Sequence, residues 1–260
     1  MADRARAGAL VLAGKVRVGI GDAARLDRKP GELVRSDVDV TIDEPPPYVG
    51  RGGHKLAAAL DTFGISPAGR VCLDVGASTG GFTDVLLQRD ASRVYALDVG
   101  RGQLAESLRT DPRVVSMERT NARGLTAGSL PEPVSLAVID VSFISLDRIL
   151  GPVASVFAPA GGDIVALVKP QFEAPRGSAV KGVVRDPAVH RTVLEGVAAT
   201  AAAAGLAPRD VASSPIEGAD GNREFLLWLS VPAAPVDGGE RPTMTVPPSV
   251  AAAIQRVTGP

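Results

Sequence analysis

Leu73 to Gly81 reads LDVGASTGG, and Tyr95 to Gly100 reads YALDVG. Each is an apolar run that delivers an acid to a glycine-containing turn. A buried strand that ends this way leaves the backbone free to approach a ligand, and the acid at the end of the next strand suits the hydroxyls of a ribose. The two stretches together predict a site for a nucleoside-containing cofactor at the carboxyl edge of a parallel sheet.

The spacing of the glycines narrows the cofactor. A dinucleotide fingerprint needs Gly-x-Gly-x-x-Gly, whereas Gly76-Ala77-Ser78-Thr79-Gly80-Gly81 carries serine where the second glycine should stand, so a pyrophosphate would meet the Ser78 side chain. The chain has no Gly-x-x-x-x-Gly-Lys-Ser/Thr run, which removes the phosphate cradle of an NTPase. A ligand with a ribose and an amino-acid tail but no phosphates fits better. S-adenosylmethionine has both, its tail carrying a carboxylate and an ammonium that the amide N–H groups of the turn and the Asp74 carboxylate would complement.

Outward from this segment the pattern alternates between helices and strongly apolar strands. Strands are expected at 71–75, 94–99, 114–117, 136–140, 164–168, 211–214 and 224–230, with helices at 54–63, 80–89, 103–109, 146–157 and 187–204 and one more at 248–257. Short apolar strands joined by helical crossovers predict an α/β fold with a doubly wound parallel sheet. The prolines at 45–47 stiffen the chain and forbid a helix through them. They separate a small α+β module at 1–43 from a linker at 44–53, a main domain at 54–232 and a tail at 233–260. Within the module a helix is expected at 5–13 and strands at 15–18 and 38–42.

Composition sets outer limits. The chain has 260 residues, 45% of them hydrophobic and 22% charged, which is ordinary for a folded domain with a small appendage. Its single cysteine, Cys72, lies inside an apolar strand and reads as a core residue of a protein in a reducing, cytoplasmic setting. His54 and His190 are the only histidines and are far apart, so no metal site is expected. No apolar stretch is long enough to span a bilayer. Seven Lys/Arg against three Asp give residues 1–30 a formal charge of +4 and leave −5 for the rest of a chain whose net charge is −1. A basic module on an acidic body suits a polyanion held by one part while the other does chemistry.

Four charged side chains fall where ligands bind in such a sheet. Asp140 and Lys169 end strands, Lys55 opens the helix before the first strand, and Glu224 opens the last strand. Alone, Lys55 or Glu224 would read as a solvated surface charge. An ion ending a buried strand needs a partner or a task. Two lysines and two acids beside a methyl donor would answer a specific difficulty, since a ribose hydroxyl is a poor nucleophile until its proton is removed or its alkoxide stabilised. One lysine could take the proton, the other could hold the developing charge, and the acids would orient both.

These residues sit in motifs that resemble a known family. RGGHKL at 51–56, LDVGASTGGFTDVLL at 73–87, DVGRGQL at 98–104, ERTNAR at 118–123, DVSFISL at 140–146, LVKPQFE at 167–173, GVVRDP at 182–187 and GNREFLLWL at 221–229 are similar to the TlyA group of ribosomal-RNA 2′-O-methyltransferases, related to the FtsJ-type enzymes. The resemblance implies a mostly parallel, seven-stranded Rossmann-like methyltransferase sheet and transfer of a methyl group from S-adenosylmethionine to a cytidine 2′-hydroxyl in ribosomal RNA. It implies a catalytic set of Lys55, Asp140, Lys169 and Glu224. The donor site would comprise Asp74, the turn Gly76, Ala77, Ser78, Thr79, Gly80 and Gly81, then Asp98 for the ribose, Asn121 near the adenine, and Asp140. Ser78 and Thr79 can equally cap the following helix. Phe143 and Phe172 are expected in the core rather than stacked on bases.

The basic module resembles the alpha-L RNA-binding domain through Arg4 and ALVLAGKV at 9–16, which implies RNA contacts by Arg4, Arg6, Lys15 and Arg17. The family's first helix has no counterpart before Arg4, and Val18-Gly19-Ile20-Gly21 replaces its usual turn. This implies either an upstream start or a shortened domain with a weaker grip on RNA. A non-catalytic RNA-binding or ribosome-assembly factor is the alternative function. A haemolysin is a third, because this family has carried that label, but no basic amphipathic helix supports it.

Overall fold

The computed structural model describes residues 4–19, 29–42, 46–175, 177–179, 182–235, 239 and 242–259. The chain divides into two compact units, Met1–Pro47 and Tyr48–Pro260.

In the first unit, α1 (Arg4–Leu12) is followed by Gly14 in the left-handed region, and β1 (Val16–Val18) pairs antiparallel with β2 (Val40–Ile42). Two three-residue strands cannot build a core of their own. Val18 is buried, while Leu12, Leu33, Val40 and Ile42 stay exposed. Lys15 and Arg17 are exposed; Arg17 alternates with Val16 and Val18, as a period-two strand requires. The side chains of Arg4 and Arg6, and all of residues 20–28 with Arg25 and Arg28, lie outside the described residues.

The second unit is built on one sheet. Its strands are β3 (Val71–Val75), β4 (Arg93–Leu97), β5 (Val114–Met117), β6 (Leu136–Ile139), β7 (Gly162–Val168), β8 (Ala207–Ser213) and β9 (Phe225–Val231), in the order β5-β4-β3-β6-β7-β9-β8. The first five are parallel, and β9 runs antiparallel to both β7 and β8. The order turns back between β3 and β6, the place where open α/β sheets bind ligands.

Period-two alternation splits each strand between two cores. Leu73, Val75, Ile139, Ala166, Val168 and Phe225 face one layer, with α5 (Leu150–Ser155), α7 (Pro187–Ala203) and α8 (Pro248–Thr258). Cys72, Val138, Val165, Leu167 and Leu226 face the other, with α2 (Gly52–Phe63) and α3 (Gly81–Gln88). Both faces are covered, which is why these strands read as continuous apolar runs. Arg70 and Trp228 close the amino end of the sheet on Asp163, at 2.9 Å to one carboxylate oxygen each.

Four local expectations need correction. The helix at 146–157 is a 3-10 turn, Leu146–Arg148, followed by α5. Pro152 is tolerated in the first turn of α5, but a helix running back through it would clash with the Arg148 carbonyl. The helix at 103–109 shrinks to α4 (Glu106–Arg109), because Gln103 and Ala105 bond instead to Ser78 and Thr79. Strand β8 begins four residues earlier than expected, at an edge where Pro208 and Arg209 are tolerated. The segment at 233–260 is more than a tail, since α8 buries Val250, Ala253 and Ile254 against the core.

Candidate functional site

The chain after β3 is shaped by its glycines. Gly76 has φ +85, and a Cβ there would overlap the Asp140 carbonyl, so only glycine lets the ends of β3 and β6 close up. Its N–H and that of Ala77 donate to the Leu97 carbonyl, tying the turn to the end of β4. Ser78 is held in the left-handed region at φ +49; its N–H donates to Asp98 Oδ2 at 2.8 Å and its hydroxyl to Gln103 Oε1 at 3.2 Å. The expected Ser78/Thr79 cap on α3 is not formed. Gly80, at φ +98, occupies the cap position and no side chain bonds there.

Asp98 is gripped from two sides, with the Gly100 N–H on Oδ1 at 2.7 Å as well. Two backbone donors fix the carboxylate and leave each oxygen a lone pair for a further partner. Asn121 caps the 3-10 turn Ala122–Gly124 by accepting the Arg123 N–H at 3.1 Å.

Asp74 is fully buried beneath the turn. Thr83 donates its hydroxyl to Oδ2 at 2.6 Å, while Oδ1 is buried and unpartnered. Burial pushes this carboxyl up to about 7; the Thr83 hydroxyl opposes the rise, and Asp140 and Asp98 add to it. An acid that holds its proton longer in the folded state than in the unfolded one stabilises the fold below the ordinary carboxylate range. That contribution is lost as pH climbs through about 7. Asp74→Asn keeps an acceptor for Thr83 and carries no charge, so its melting temperature relative to the parent chain should rise between pH 5 and pH 8. Thermal melts across that range check this, and a flat difference would mean that Asp74 is ionised throughout.

A groove of about 460 Å³ opens at the carboxyl ends of β3, β4 and β6. Gly76, Ser78, Asp98, Asn121 and Asp140 line it, with Val99, Ile144 and Ile149 supplying apolar wall. A smaller hollow of about 140 Å³ adjoins it, walled by Gly52, Ala77, Thr79, Gly81 and Phe82 and sharing Gly76, Ser78 and Asp140. Of the expected donor-site residues, Asp74 and Gly80 line neither; both are buried behind the turn. A separate pocket of about 310 Å³ lies between the start of the Leu146–Arg148 turn and α7, away from the glycine turn.

All four predicted ions gather at the same sheet edge. Asp140 and Lys169 directly follow β6 and β7, and antiparallel pairing of Val168 with Phe225 brings Glu224 level with Lys169. Alternation aims Asp140, Lys169 and Glu224 toward the layer that holds α2, whose first turn carries Lys55. Lys55 Nζ is ion-paired with Glu224 Oε2, and both side chains are at least nine-tenths buried. Lys169 Nζ lies 2.6 Å from Asp140 Oδ1 and donates to Ser142 Oγ at 2.9 Å. The contact with Asp140 is close but off the line of a directed hydrogen bond, so it is an ion pair rather than a fixed bridge. Gly218 packs against the Glu224 carboxylate where a Cβ would overlap it.

Phe143 departs from expectation. It is 89% exposed, lines the groove, and is held at φ +63, a costly conformation for an aromatic residue. Phe172, which is half-buried, supports it with ring centroids 4.9 Å apart. Sequence reading also missed Thr83, Ser142 and Gln103. Thr83 had a signal, one turn into the helix after the glycines, while the other two have meaning only once loops meet.

Among the described residues no group of His, Cys, Asp and Glu is placed to hold a metal ion, and no helix is long and apolar enough to cross a membrane.

A family model for FtsJ-like methyltransferases matches residues 48–231. The 16S/23S rRNA (cytidine-2′-O)-methyltransferase TlyA of Mycobacterium tuberculosis is 48% identical over 230 residues, covering 87% of this chain and 84% of that protein. Hemolysin A of Brachyspira hyodysenteriae is 40% identical over 234 residues, covering 88% and 94%. A solved structure named as a hemolysin, from Streptococcus thermophilus, aligns with a TM-score of 0.75 at 41% identity, covering 99% of this chain and 90% of that one.

Proposed function

The chain belongs to the FtsJ-like methyltransferase family, and we propose that within it the chain methylates the 2′-hydroxyl of a cytidine ribose in ribosomal RNA, with S-adenosylmethionine as donor, in the cytoplasm. The observation that carries this reading is the Lys169–Asp140 ion pair at the rim of a nucleoside-sized groove, with the Lys55–Glu224 pair at the same edge.

The residues present fit the donor. The groove volume lies in the range of small-molecule sites. Asp98, fixed by two N–H groups and with lone pairs to spare, would hold the ribose hydroxyls. Asn121 and the apolar wall would hold the adenine, and the turn Gly76–Gly81 would hold the amino-acid tail. The bound donor supplies a methyl group activated by its sulfonium.

The chain's own residues would then make the ribose oxygen nucleophilic. Lys169 would first release a proton to solvent, then accept the hydroxyl proton and return to the ammonium that pairs with Asp140. The positive charge of Lys55 stabilises the developing alkoxide, and Glu224 keeps that ammonium aimed at the edge. Ser142 accepts a hydrogen bond from Lys169, so this side chain is held at the edge beside the Lys55–Glu224 pair before RNA arrives. Exposed Phe143 at the groove offers a flat apolar face beside the site where a nucleotide would enter. In the N-terminal unit, Lys15 and Arg17, with Arg4 and Arg6, would contact phosphates.

Incubating ribosomal subunits with methyl-labelled donor and digesting the RNA to nucleosides tests this. Label should appear in 2′-O-methylcytidine. Label confined to methylated bases, or binding of RNA without transfer, would replace the reading with base methylation or with a non-catalytic RNA-binding role.

A further inference from the structure

Lys169 does not stand alone on its loop. It directly precedes α6 (Pro170–Glu173), a single turn closed by the Phe172 N–H on the Lys169 carbonyl and the Ala174 N–H on the Pro170 carbonyl. Four residues on, the Glu173 carboxylate reaches back to the segment that follows Asp140. It accepts the Ser145 hydroxyl at 2.5 Å through Oε2 and the Leu146 N–H at 2.9 Å through Oε1. Leu146 opens the 3-10 turn Leu146–Arg148, so Glu173 supplies the acceptor for a helix-start N–H that Ser145 itself leaves unmet.

The consequence is a clamp between two short segments. Residues 140–146 and 169–173 are joined by Lys169 to Asp140 and Ser142, by Phe172 to Phe143, and by Glu173 to Ser145 and Leu146. The first two joints are looser, because Lys169 is held by an undirected ion pair and one hydrogen bond between side chains, and Phe172 by a tilted ring contact. Glu173 makes the only joint of the three with two directed bonds to one carboxylate, one of them to backbone. It lines the separate 310 Å³ pocket and not the groove, so it is placed to act on Lys169 from outside the donor groove.

Resting on the methyl-transfer reading above, we infer that Glu173 is a positioning residue, whose grip on Ser145 and Leu146 sets the height of the Asp140–Ile144 loop and so the position of the Lys169 ammonium relative to the groove. A general base displaced by about 1 Å forfeits on the order of 10²-fold in rate. A glutamine at the position keeps one acceptor for the Leu146 N–H, and its amide can donate to the Ser145 hydroxyl, which rotates to suit. An alanine keeps neither bond.

Glu173→Ala and Glu173→Gln separate positioning from mere support. Single-turnover methyl transfer at saturating donor should fall about 10²-fold in Glu173→Ala, with the Kd for donor and for RNA within about threefold of the parent chain, and Glu173→Gln should recover most of the rate. Hydrogen exchange in the protein alone, without donor or RNA, should quicken at residues 142–146 in Glu173→Ala and not in Glu173→Gln. Unchanged exchange would overturn the inference, as would quickened exchange with an undiminished rate. A Glu173→Gln chain as slow as Glu173→Ala, with both melting earlier, would leave only a structural role. If the parent chain transfers no methyl group to RNA, the functional reading fails, and the exchange comparison still decides whether Glu173 holds the loop.

Discussion

Lys169→Ala should abolish methyl transfer to RNA, lowering the single-turnover rate by roughly 10³-fold or more, the range in which positioned acid–base groups contribute. Donor binding should change little, because Lys169 bonds to Asp140 and Ser142 at the rim and does not line the groove. The substitution also strips Asp140 of its cation, so part of the loss could come from a carboxylate left beside the reacting oxygen. Lys169→Arg resolves this. Arginine preserves the charge and pairs with Asp140, but it does not give up a proton in a protein. If Lys169 accepts the hydroxyl proton, Lys169→Arg is as inactive as Lys169→Ala; if it only neutralises charge, the arginine restores activity. Labelled methyl transfer alongside calorimetric donor titration measures both. A Lys169→Ala chain within tenfold of the parent rate would remove this residue from the chemistry.

Glu224→Ala should unfold the protein more readily than any single surface change, by about 3–5 kcal/mol, because it leaves the buried Lys55 ammonium without a counter-ion. The same cost follows from Lys55→Ala, in which the Glu224 carboxylate is stranded. The pair is worth far less than either half suggests. Two ions taken out of water spend most of their attraction on desolvation, and replacing both with apolar residues of similar volume is often close to neutral. The double variant Lys55→Met with Glu224→Leu should therefore recover most of the stability lost in the single variants while transferring no methyl group. Denaturant unfolding measures the first and labelled transfer the second. Recovery of both stability and activity in the double variant would show that the pair is only a structural bridge. A double variant as unstable as the singles would place the cost in packing around α2 instead.

Much of the second unit was legible because its strands are buried on both faces. Such strands must be apolar throughout, and β3 and β5 begin and end where the pattern placed them. Asp74, Asp98 and Asp140 stood out for the same reason, each being a charge at the end of a run that tolerates none. What local pattern missed were segments whose hydrogen bonds are made elsewhere. Gln103 and Ala105 follow the glycine turn rather than a helix. Phe143 is exposed because its backbone turns outward at φ +63, and no hydropathy scale encodes that.

By itself the amino-acid order determined the α/β class, the glycine turn at Gly76, and the four ions with a chemical reason to meet. Each of these follows from interactions between near neighbours: alternation along a strand, the freedom of glycine, the cost of burying a charge. Only the tertiary structure decided who pairs with whom. Lys55 finds Glu224 across 169 positions of sequence because β9 enters antiparallel between β7 and β8, which turns the start of one strand to the same edge as the ends of the others. Strand order and direction arise from how whole faces pack, and no window of sequence contains them.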